Sequence, residues 1–113
     1  MSGRDDSLPM GRMLDLAREL AAMLQGRRRH DLDTDRMFQL ALMQLIATIG
    51  DAAGRVTTAG RARAVSIPWP ELVAAGNRIV VEYDAVDLDA VWDTATREIP
   101  ALAVALERVL YEY

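Results

Sequence analysis

The chain predicts an all-α protein, an up-and-down bundle of four helices, and three observations carry that expectation. Ala, Leu and Arg outnumber Val, Ile, Thr and the aromatics, a balance that favours helix over sheet. Apolar residues recur at steps of three and four over long stretches, the period of a helix with one buried face. Capping and breaking residues stand at the ends of those stretches. In the first helix, Ser7–Gln25, the stripe is Met10, Met13, Leu14, Ala17, Leu20, Ala21 and Leu24, with Ser7 as N-cap and Gly26 as C-terminal stop. Residues 26–33, GRRRHDLD, read as a connecting loop. Asp33 or Thr34 caps the second helix, whose stripe of Phe38, Ala41, Leu42, Leu45, Ile49, Ala52 and Val56 is the strongest periodic signal in the chain. Polar residues, Gly60 and two arginines make 57–67 a loop, and Pro68 suits the first turn of a third, shorter helix running to about Tyr83. The chain turns over 84–87, and Asp87 caps the last helix, which buries Leu88, Val91, Trp92, Ala95, Ile99, Leu102, Leu106 and Val109. Pro100 removes one backbone hydrogen bond inside that helix, so a kink or break is expected there.

At 113 residues the chain is a single domain, 1–113, just long enough for one core. It has no cysteine, which excludes disulfides and thiolate catalysis. Every basic side chain is Arg: residues 1–63 carry ten against eight acids, and residues 64–113 carry three against nine. The net charge of −4 opposes strong non-specific binding of nucleic acid, which needs a clustered positive surface, so any RNA contact is expected to be local and weak. The apolar runs are short and broken by charge, and the first residues, MSGRDDSLPM, lack the layout of a signal peptide. A cytoplasmic protein with no membrane association is the expectation.

The most informative stretch is 67–92, IPWPELVAAGNRIVVEYDAVDLDAVW. It resembles the signature region of HepT-like HEPN proteins, the toxin half of HEPN/nucleotidyltransferase toxin–antitoxin pairs. Those proteins carry Arg-x-x-x-x-His-x-Tyr between an IPW element and a VDLxxVW element. The resemblance extends over most of the chain, through RMLDLARELAAML, through FQLALMQLIATIGDAAGRV, where IGDAA stands for the common IGEAA, and through the last helix. It implies a helical bundle that dimerises about a two-fold, bringing two motif copies into one cleft. It also implies metal-free RNA cleavage, and a minimal nucleotidyltransferase (MNT) partner that in some pairs adds AMP to the motif tyrosine, here Tyr83. No cofactor and no metal are implied.

Against that pattern this chain has Gly76 at the Arg position and Val81 at the His position, while Asn77 and Tyr83 remain. Metal-free cleavage needs a group to take the 2′-hydroxyl proton and a cation near the phosphate. Val81 has no titratable atom and Gly76 no side chain. Losing the base alone removes a factor of about 10²–10⁴. His30, the only histidine, has no Arg at motif spacing before it, so the motif is lost rather than moved. At 100° per residue, positions 76 and 83 share one helix face and 77 and 81 another, so the replacements make the former cleft smaller and more apolar.

Other candidates are weighed against plainer roles. Tyr83 is a nucleotidyl acceptor or RNA-stacking ring, or a half-buried anchor of a helix end. Asn77 orients a phosphate or bridges backbone. Arg78 holds a phosphate, or is a solvated or ion-paired side chain near Glu82 one turn on. Arg27–Arg28–Arg29–His30 is the one basic cluster, a footing for RNA or an acidic partner, against a solvated loop. Asp31, Asp33 and Asp35 open like a calcium loop, but Arg36 and Leu42 stand where Gly and Glu are required. Asp84, Asp87, Asp89 and Asp93 read as turn and cap residues, and Trp69 and Trp92 as core or dimer-interface aromatics. The expectation is a catalytically degenerate HepT-like protein, a homodimer that binds a nucleotidyltransferase. The alternative is an active or residual metal-independent endoribonuclease toxin working through Asn77, Arg78 and Tyr83.

Overall fold

A computed structural model describes residues 6–111, and the described residues form helices, turns and loops with no strand. In chain order they are α1 (Ser7–Leu24), α2 (Asp31–Thr34), α3 (Arg36–Gly54), α4 (Thr58–Ala62), α5 (Trp69–Glu82), a 3₁₀ turn (Tyr83–Ala85), α6 (Leu88–Asp93), a π turn (Thr94–Glu98) and α7 (Ile99–Tyr111). The expected four long helices are α1, α3, α5 and the α6–π–α7 run. The main pairings are α3 with α5, α1 with α3 and α1 with α7, which sets them in the row α5–α3–α1–α7. The outline is correspondingly flat, 49 × 28 × 19 Å.

Apolar stripes make these pairings. Met10, Met13, Leu14, Ala17 and Leu20 of α1 meet Phe38, Leu42, Leu45, Ile46, Ile49 and Ala53 of α3 and Ile99, Leu102 and Leu106 of α7 in one core. Ala21 and Ala41, expected inside, are exposed, each lining an open groove against a neighbouring helix. α3 is long and apolar enough to cross a membrane by length and composition, but nine of its residues are buried within the bundle.

Several ends differ from expectation, each for a local reason. The cap position of α1 is Asp6 rather than Ser7. Asp6 gives no side-chain cap because its carboxylate accepts instead from the backbone N–H and the hydroxyl of Thr57, at 2.9 and 2.5 Å. Gly26 ends the approach from α1 at φ 75°, a conformation that favours glycine. Residues 26–33 are not wholly loop, since α2 begins at Asp31, whose carboxylate accepts from the Arg28 backbone N–H at 2.7 Å. With Asp33 and Thr34 inside that turn, α3 is capped by Asp35, which accepts from Phe38 N–H at 3.1 Å. That bond, and then Arg27, hold the Asp35 carboxyl below the usual aspartate range. The loop at 57–67 contains α4, capped by Thr57 through Gly60 N–H. Asp87 caps α6 as expected, accepting from Asp89 and Ala90 N–H. Pro100 produces no break: the π turn just before it routes Ile99 N–H to Thr94 C=O, one residue further back than in an α-helix, and the run continues.

Candidate functional site on helix α5

α5 starts where Ile67 and Trp69 are buried. The Trp69 indole N–H donates to Ala64 C=O at 3.1 Å and the Arg61 guanidinium lies 5.7 Å from its ring centre, so the helix is anchored at this end. It packs along α3 through Leu72, Gly76 and Ile79. At Gly76 the two backbones nearly touch. A Cβ there would lie 3.2 Å from both Ala47 C=O and Gly50 Cα, and one on Gly50 would lie 2.8 Å from Leu72 C=O. The Gly50–Gly76 pair is therefore the crossing point of α3 and α5, and glycine is what permits that approach. Position 76 faces a neighbouring helix, not an open cleft.

The other motif positions point elsewhere. Asn77 and Arg78 are exposed, and Val81 is 81% exposed on the outer surface, next to Val80 at 70%. Tyr83 ends the helix at φ 20°, the one positive-φ non-glycine among the described residues, and is half-exposed. Its ring lines a groove between α3 and α5 with Leu40, Gln44 and Val80. The Arg36 guanidinium sits 5.8 Å from the ring centre and reaches Asp84 at 3.3 Å and Gln39. Arg78 lies on the other side of α5, in a cavity shared with α6 that also holds Asp87 and Thr94. Arg78 is exposed and makes no ion pair with Glu82, which leaves the solvated one of its plainer roles, whereas Arg29–Asp33, Asp51–Arg55 and Asp93–Arg97 pair at the same spacing. Asn77, Arg78 and Tyr83 thus do not converge on one point within a protomer.

The basic cluster is largely neutralised. Arg27 pairs with Asp35 at 3.2 Å and lies 4.4 Å from the Phe38 ring centre. Arg29 bridges Asp33 at 3.1 Å and Asp89 at 2.7 Å, and the two hydrogen bonds raise its already high pKa. Asp84 and Asp89, read from sequence as turn residues, are therefore also the ion-pair partners of Arg36 and Arg29. Trp69 is a core residue, and Trp92 is partly buried against the core. Among the described residues no group of three His, Cys, Asp or Glu side chains is placed to hold a metal ion. Sequence reasoning did not single out Arg36 or Thr94. Arg36 meets Asp84 across 48 positions, and no spacing rule links residues so far apart.

Comparison with known proteins matches residues 13–109 to the family described as Ribonuclease HepT-like. Among curated relatives, a candidate RNase of Caldanaerobacter subterraneus is 24% identical over 91 residues, 80% of this chain and 81% of that protein. A candidate ribonuclease HepT of Thermococcus cleftensis is 25% identical over 79 residues, 70% of this chain and 72% of the relative. A Methanocaldococcus jannaschii protein named as a gamma-glutamylcyclotransferase and candidate RNase is 22% identical over 109 residues, 96% of this chain and 49% of the relative. No solved structure gives a significant match. The match across almost the whole described bundle, α5 included, places the chain in a family: it belongs to the HepT-like ribonucleases.

Proposed function

We propose that this chain is a HepT-like protein whose ribonuclease motif is degenerate, and that it acts in the cytoplasm as a dimeric binding partner of a nucleotidyltransferase in a toxin–antitoxin pair. The observation that carries the reading is the state of α5 at the two motif positions. Gly76 is closed against Ala47 and Gly50, and Val81 offers an exposed isopropyl group where proton transfer needs a titratable atom. The exposed valines 80 and 81, with Met37 at 82% exposure, supply apolar surface suited to burial against a second copy. Tyr83 is half-exposed beside Arg36, as an acceptor for a nucleotidyl-transferring partner has to be.

An active endoribonuclease would need Asn77, Arg78 and Tyr83 to act together, and Arg78 and Tyr83 line different cavities on opposite sides of α5. The test incubates purified protein with cellular RNA without added metal and follows cleavage on a gel, alongside co-purification with a co-expressed nucleotidyltransferase. Intact RNA and a stable complex are expected. Cleavage that disappears in Tyr83→Phe or Arg78→Ala would overturn the reading.

A further inference from the structure

We propose that the outer face of α7, together with the connector before α5, is a docking groove for an amphipathic helix of a partner protein, one that starts acidic, ends basic and lies antiparallel to α7. The groove shares no lining residue with the one beside Val80 and Tyr83, so the inference goes beyond the reading above and does not depend on it. α7 is apolar nearly all round: of its 13 residues only Glu107 and Arg108 are charged. Ile99, Leu102 and Leu106 are buried in the core, and Val109 packs against it. A second row, Ala101, Val104, Arg108 and Tyr111, keeps steps of three and four but is displaced by two residues, roughly 200° round the helix. Val104 is 50% exposed and Tyr111 63%. A helix that is apolar on opposite faces is ordinarily covered on both. α7 packs mainly on α1, which covers one of them.

On the uncovered side, Ile67 and Pro68 of the connector stand across from Ala101, Val104 and Ala105 and enclose about 550 Å³. Charge says what fits there. Glu98 lines the groove towards the start of α7 and Arg108 towards its end. Neither forms an ion pair or hydrogen bond among the described residues, whereas Arg97 is paired with Asp93 and Glu107 with Arg18. Ten helical steps separate Glu98 from Arg108, about 15 Å. A small ligand cannot meet both charges, but a helix of about three turns can, with apolar side chains at i, i+3, i+4 and i+7 against Val104 and the alanines. Antiparallel docking puts the first turn of that helix at Arg108 and its last turn at Glu98. An acid at its start and a base at its end then answer both free charges and agree with the partner helix's own dipole. Parallel docking would need the charges in the order that dipole opposes.

The test titrates the full chain into two fluorescent peptides with the same Leu/Ala face, both locked helical by a lactam bridge on the outward side. One carries Glu in its first turn and Lys in its last, and the other has the two exchanged. Saturable anisotropy is expected with the Glu-first peptide, with binding about fivefold weaker for the Lys-first peptide at low salt, the combined effect of two exposed ion pairs. In Glu98→Arg/Arg108→Glu that order is expected to invert. Val104→Glu, at an exposed position, is expected to weaken both peptides by at least about tenfold with helical content unchanged, and Val80→Glu/Val81→Glu to leave them as in the wild type. Sedimentation without peptide is expected to give Val104→Glu the same mass as the wild type. A lower mass would assign the face to a second copy and overturn the proposal. So would the absence of saturable binding by either peptide, binding that survives Val104→Glu, or an order of affinities that ignores the charge exchange.

Discussion

Gly76 and Val81 differ in what surrounds them, and their substitutions should behave differently. A side chain at 76 must displace Ala47 C=O or Gly50 Cα from about van der Waals contact, in the interior of the α3–α5 crossing. Gly76→Ala gains helix propensity of roughly 1 kcal/mol, but overpacking typically costs about 1–3 kcal/mol, so a net loss of stability is expected in urea denaturation. Gly50→Ala, with Leu72 C=O closer still, should lose more. Val81→His, at 81% exposure, should change stability by less than about 0.5 kcal/mol. Rebuilding the motif with Gly76→Arg and Val81→His therefore strains one site and not the other. The reverted protein is expected to unfold at lower denaturant concentration before its activity can be compared with the natural chain. Asp35 carries a pH-dependent contribution. Its folded pKa is lowered, first by Phe38 N–H and then by Arg27, so the stabilisation is complete above the ordinary value of 3.8 and is lost as pH falls through the lowered value. Melting temperatures at neutral pH and at pH below that range should converge in Asp35→Ala relative to wild type, with the variant several degrees lower at neutral pH.

Among the elements, the last helix best separates what spacing conveys from what packing adds. Its stripe, Val91, Ala95, Ile99, Leu102 and Leu106, is legible in sequence and is buried. Pro100 is equally legible, and of the kink or break it leads one to expect, the break does not occur. One π turn satisfies Ile99 N–H at Thr94 C=O and leaves the proline near the start of α7, where its missing N–H matters least. Pro100→Ala should accordingly stabilise by about 1 kcal/mol or less, well under the roughly 3 kcal/mol of a helix-interior proline, by chemical denaturation. α5 shows the complementary case. Its start was read from Pro68 and its end from Tyr83, and Trp69–Glu82 agrees with both. What spacing did not convey is that Trp69 donates to Ala64 C=O and stacks near Arg61. Trp69→Phe should cost about 1–2 kcal/mol through the lost hydrogen bond and reduced packing, measurable in the same denaturation series. The short helices α2 and α4 went unread because four or five residues carry no period. They form where Asp31, Thr57 and Asp6 satisfy backbone donors and one another.

For the whole molecule, the row α5–α3–α1–α7 leaves α5 packed mainly on α3, with Val80 and Val81 outward and a cavity on the α6 side. If the outward valines are the dimer surface, light scattering should give a mass of two chains for the wild type and one for Val80→Glu/Val81→Glu, with unchanged helical content. A wild type that stays monomeric at high concentration would sink that reading. The sequence by itself determined the all-α class, the four long helices, most of the buried stripes and the family. These follow from local periodicity, capping chemistry and a motif contained in one contiguous stretch, all carried by neighbours in the chain. Only the tertiary structure decided that Gly76 is a helix crossing, that Arg27 and Arg29 are neutralised, that Arg36 attends Tyr83, and that Arg78 shares a cavity with Asp87 and Thr94. Most of those contacts join separate helices, and which face of one helix meets which face of another depends on the packing of the assembled core, to which local spacing is blind.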